Sequence, residues 1–154
     1  SAGASVVKLG LVNESVSTPP GNLVDTVNGW GMHWDLSVGQ IYFETGGMIT
    51  VATWPIALMT DDYLLIAFDA DTRRVWFGVA DVSSGLAYFH DGSAWGQDTP
   101  LSGANQTFTL TCSAWRFAVT LDNGAAATLL TGAEQMLQDI TVPAGFKFLS
   151  SANE

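Results

Sequence analysis

Apolar and polar residues alternate with a period of two over several short stretches of this chain, the spacing of strands that turn one face inward. Gln40-Ile41-Tyr42-Phe43-Glu44-Thr45 sets Ile41 and Phe43 on one side and Tyr42 and Glu44 on the other, and Gly46-Gly47 follows as a turn. Met48 to Trp54 is β-branched and apolar until Pro55 breaks or bends it. Tyr63-Leu64-Leu65-Ile66-Ala67-Phe68 is apolar on both faces, as a strand between two layers is. Asp69-Ala70-Asp71-Thr72 reads as a turn, and Arg74-Val75-Trp76-Phe77-Gly78 returns as the second strand of a hairpin. Thr107 to Cys112 alternates with Phe108, Leu110 and Cys112 inward. Phe117, Val119 and Leu121 repeat that inward pattern, and Asp122-Asn123-Gly124 closes it with turn chemistry. Ala126 to Leu130 reads as a further short strand.

Helix signals are confined to Ala133–Leu137, enough for one short turn. Gly85 to Gly103 reads as a long irregular loop rich in Gly, Ser, Asp and Trp. Short strands at regular spacing with Gly and Asp turns predict an all-β fold, an antiparallel two-sheet β-sandwich of lectin-like jelly-roll type. A length of 154 residues fits a single domain over 1–154, with residues 1–5 as a flexible arm.

Charge narrows the function. Fifteen acidic and five basic residues give a formal net charge of −10. Nucleic-acid binding needs clustered Lys and Arg, and the one basic pair is Arg73-Arg74, so no nucleic-acid partner is expected. Charged residues are 13% of the chain and hydrophobic ones 47%, which excludes intrinsic disorder. No apolar run approaches the roughly 18 residues of a membrane span, so no membrane insertion is expected. The lone Cys112 can form neither an internal disulfide nor a thiolate zinc site.

Catalytic equipment is sparse. Two histidines, His33 and His90, fall short of a three- or four-ligand zinc site, and each is expected in a turn or a polar network. Asp69-Ala70-Asp71 fails as a calcium loop, because Arg74 and Ala80 stand where Gly and Glu would be required. It is expected to bond turn amides instead. A glycosidase pair on one strand face is missing, since Glu44 shares its face with Tyr42 and Gly46. No Gly-x-Ser-x-Gly elbow and no phosphate loop occur. The chain is therefore expected to be no enzyme and to need no cofactor or metal. Trp30, Trp34, Trp95 and Trp115 lie in or beside loops, where rings stack on sugars or anchor interfaces, though a small sandwich more often uses Trp as core.

Four segments, in order, resemble a SPRY domain, a concanavalin A-like β-sandwich, in its bacteriophage and bacterial variant. Gly39-Gln40-Ile41-Tyr42-Phe43-Glu44 is similar to the family's Gly-Lys-Trp-Tyr-Phe-Glu strand. Ala67-Phe68-Asp69-Ala70-Asp71-Thr72-Arg73-Arg74-Val75-Trp76-Phe77 resembles its hairpin of the form Asp-x-Asp-x-Gly-x-Leu-Trp-Phe. Asp91-Gly92-Ser93-Ala94-Trp95, then Thr99-Pro100 and Gly103, is similar to Asn-Gly-x-Trp and Asp-Pro-x-x-Gly. Val142-Pro143-Ala144-Gly145-Phe146-Lys147-Phe148-Leu149 resembles the closing Pro-x-Gly-Phe-x-x-Leu. The match covers about residues 36–152. It departs in the longer stretch Gly78–His90, in Asp91 for Asn, in the missing Asn-Phe-Gly motif, and in the first 35 residues, which are expected to form an opening strand or an arm.

The resemblance implies a non-enzymatic protein that binds protein partners, with Phe43, Trp76, Gly92, Trp95, Gly145 and Phe146 as scaffold. It points to a structural or accessory component of a phage virion, a capsid decoration or tail-associated protein, whose partners are other virion proteins or itself. The alternative is a carbohydrate- or receptor-binding module of a tail fibre or cell surface, recognising a host glycan or protein. Tyr88, Phe89 and His90 lie in the length beyond the family pattern, and together with Asp91 they are the expected partner-binding residues, either as an added hairpin strand or as a subunit contact.

Overall fold

The computed structural model describes residues 6–15, 29–35, 40–45, 48–53, 62–97, 105–122 and 125–126. These residues are all-β, in two antiparallel sheets, as the sandwich expectation requires. By internal contacts the chain divides into two compact units, Ser1–Trp54 with Phe108–Ala127 and Pro55–Thr107 with Thr128–Glu154.

The first sheet has the strand order β10-β1-β2-β3-β4. Its strands are β1 (Val6–Asn13), β2 (Gly29–Asp35), β3 (Gln40–Thr45), β4 (Met48–Ala52) and β10 (Trp115–Asp122). The first 35 residues thus supply two strands. Cross-strand register arranges one face in apolar rows: Leu121–Val7–Trp34–Ile41, Val119–Leu9–Met32–Phe43, and Phe117–Leu11–Trp30. Val7, Leu11, Trp30, Met32, Ile41 and Phe43 are buried, so these rows are a core.

The opposite face carries Thr120–Lys8–His33–Tyr42 in one row and Ala118–Gly10–Gly31–Glu44 in the next. Gly10 is required there, because a Cβ would run into the Trp30 carbonyl oxygen.

The second sheet follows the path β5-β6-β7-β8, and β9 (Phe108–Thr109) is its fifth strand. The path strands are β5 (Tyr63–Asp69), β6 (Arg74–Asp81), β7 (Leu86–His90) and β8 (Trp95–Gly96). β6 is central and buried on both faces, with Trp76 on one side and Val75, Phe77 and Val79 on the other. Leu65, Ala67, Trp76, Ala80 and Phe89 form one core cluster, and the Phe89 ring lies over Gly78.

Each of the three hairpin turns along β5-β6-β7-β8 is closed by a carboxylate. Asp69 accepts the amides of Asp71 and Thr72 and the Thr72 hydroxyl, Asp81 accepts from Ser83 and Ser84, and Asp91 accepts from Ser93 and Ala94. Asp-x-Asp therefore makes local turn bonds, as expected.

Several expectations need correction. The stretch read as a loop from Gly85 contains β7 and β8. The strand expected over Thr107–Cys112 is only two residues long, with Leu110 buried but Phe108 and Cys112 only half-buried. Phe117, Val119 and Leu121 are not inward: they are 40%, 43% and 42% exposed. Their alternation is real, but among the described residues β10 stands last in its sheet, so its apolar face meets a described neighbour on one side only. The expected helical turn at Ala133–Leu137, the strand beyond Ala126 and the closing segment Val142–Leu149 lie outside the described residues.

Candidate functional site

Three places in the described residues carry more than scaffold. The first is the expected partner segment. Leu86–His90 forms the added hairpin strand, paired with β6 through Gly78↔Phe89 and Val79↔Tyr88. Phe89 and His90 are buried at 4% and 5% exposure, which leaves Tyr88 and Asp91 as the members of the segment with surface to offer. Gly92 donates its amide to His90 Nδ1 at 3.1 Å, so Nδ1 presents a lone pair and the proton of the neutral ring sits on Nε2. Burial pulls the His90 imidazole below its ordinary value, against an opposing pull from Asp91. Trp95 stands edge-on to this ring at 5.1 Å.

The second is a polar cluster inside the first unit. His33 Nδ1 lies 3.1 Å from Glu44 Oε1, and Lys8 Nζ lies 3.9 Å from Glu44 Oε2. Glu44 reaches across two strands because Gly10 and Gly31, its neighbours in the row, have no side chains to fill the space. Tyr42 stacks at a tilt on His33, with ring centroids 5.0 Å apart, and its hydroxyl donates to Gln40. His33 Nε2 and Glu44 Oε2 are buried without a hydrogen-bond partner. A carboxylate-oriented imidazole is one half of an acid–base device, but the Tyr42 hydroxyl beside it already donates to Gln40. Sequence reasoning placed Glu44 correctly on the Tyr42 face but missed Lys8 and His33, which only the register of β1 and β2 brings to it. Among the described residues no group of three His, Cys, Asp or Glu side chains gathers as a metal centre would need.

The third is the apolar face of β10. Phe117, Val119 and Leu121 form a stripe at two-residue spacing, and Trp115 meets Phe117 edge-on at 5.5 Å. The neighbouring β1 residues Leu11 and Val7 are 0% and 8% exposed. The apolar rows of the sheet thus run from buried to open at their β10 end. Of the tryptophans read as core or ligand, Trp30 is core, while Trp34, Trp95 and Trp115 are half-buried.

No family model, curated protein or solved structure matches this chain. The resemblance to SPRY domains rests on its four segments alone.

Proposed function

We propose that the chain is a non-enzymatic structural or accessory protein of a bacteriophage virion, a capsid decoration or tail-associated subunit, working through protein–protein contacts. The β10 stripe carries the contact part of this reading. Three apolar side chains at two-residue spacing, each about two-fifths exposed on one eight-residue strand, form the kind of patch that marks an interaction surface. A low proportion of charged residues suits a subunit that buries surface in an assembly.

The virion part comes from the SPRY resemblance, and two backbone details support it. The position that the hairpin pattern gives to glycine is Arg73 here, and Arg73 has φ 57°, a left-handed conformation that favours glycine. Gly92, in the Asn-Gly-x-Trp position, has φ 94°, and a Cβ there would press on the Gln106 carbonyl oxygen.

Quantitative peptide mass spectrometry of purified particles from the chain's source tests the reading. The expected result is a fixed copy number relative to the major virion proteins. Absence from particles, with selective binding on a glycan array, would replace it by the carbohydrate-binding reading.

A further inference from the structure

We draw no further inference here: the strongest candidate, the apolar stripe of Phe117, Val119 and Leu121 on β10 of the first sheet, carries none beyond the contact role already proposed, because nothing among the described residues shows what covers it.

Discussion

The hydroxyl of Thr107 donates to the carbonyl oxygen of His90 at 2.5 Å. The Thr107 hydroxyl oxygen itself accepts the amide of Phe77 at 3.1 Å, so one buried side chain joins the centre of β6 to the end of β7. Thr107→Val keeps the shape and removes both bonds. It should destabilise the protein by about 1–3 kcal/mol, the cost of taking a hydrogen bond from buried backbone groups. Thr107→Ser keeps the bonds and should lose less. Urea denaturation of the two variants measures the difference, and equal losses would mean that packing of the methyl, rather than the hydroxyl, is what matters.

Trp76 and Phe77 are 2% and 0% exposed on opposite faces of β6. Either one changed to Ala should cost about 3–5 kcal/mol. Trp76 also donates its indole N–H to the Asn105 carbonyl at 2.6 Å, so Trp76→Phe should cost more than its change in volume suggests. Calorimetric melting reports both, and a loss below about 1 kcal/mol for each alanine variant would contradict a β6 buried on two sides.

Glu44 is the hub of the polar cluster between Lys8 and His33. Lys8→Met alone removes a buried positive charge from beside the carboxylate and should cost about 3–5 kcal/mol. Lys8→Met with Glu44→Leu removes both charges and should recover much of that loss. A double variant as unstable as the single one would show that the stability comes from the shape of the site and not from its charge pairing.

Acid should destabilise the fold in two stages. The folded chain holds the His90 imidazole below its ordinary 6.5, chiefly by burial, while the unfolded chain protonates at the ordinary value. Between those two values the unfolded state binds more protons, so stability is complete above 6.5 and is lost as pH falls through that window. Asp69 and Asp91 are held below 3.8 by bonds from Thr72 and from the Ala94 and Ser93 amides, so their contribution persists above 3.8 and is lost below it. Thermal melting between about pH 8 and 5 should show Tm falling on the acid side, and His90→Gln should flatten that fall. A His90→Gln profile parallel to the wild type would assign the titration elsewhere.

Arg73 occupies a left-handed position at the end of the Asp69 turn. Arg73→Gly relieves that strain, offset in part by the greater freedom of glycine in the unfolded chain, and should stabilise by about 0.5–1 kcal/mol. A destabilised variant would indicate that the arginine side chain contributes more than its backbone costs.

The second sheet was the more legible in sequence. Tyr63–Phe68 and Arg74–Gly78 announce themselves by apolar content on both sides of an Asp-rich turn, and the pairing of these two strands with each other is local. Leu86-Ala87-Tyr88-Phe89-His90 has no clean alternation, because β7 puts Phe89 in one core while Tyr88 on the other face is also half-buried. In β10 the period of two gives the faces but cannot say whether a neighbouring strand covers them, so Phe117, Val119 and Leu121 read as inward. The Lys8–Glu44–His33 cluster was invisible for a different reason. Its members lie on three strands, and nothing in the spacing of residues 8, 33 and 44 states which rows align.

The pairing of β1 with β10 also sets an order of events in synthesis. The second sheet's path β5-β6-β7-β8 is a run of neighbouring hairpins, each closable as soon as its own residues exist. β1 lies between β2 and β10, and its bonds to β10 wait until the chain has grown from Asn13 to Trp115. That delay is a large loop-closure cost met late, and long-range pairing of this kind folds slowly. On the ribosome, the hairpins of the second sheet can therefore be in place while β1 still lacks a partner on one side. During that interval the nascent chain presents Val7, Leu9 and Leu11 on an open strand, the moment at which pairing with a neighbouring polysome's product, or protection by a chaperone, would decide its fate.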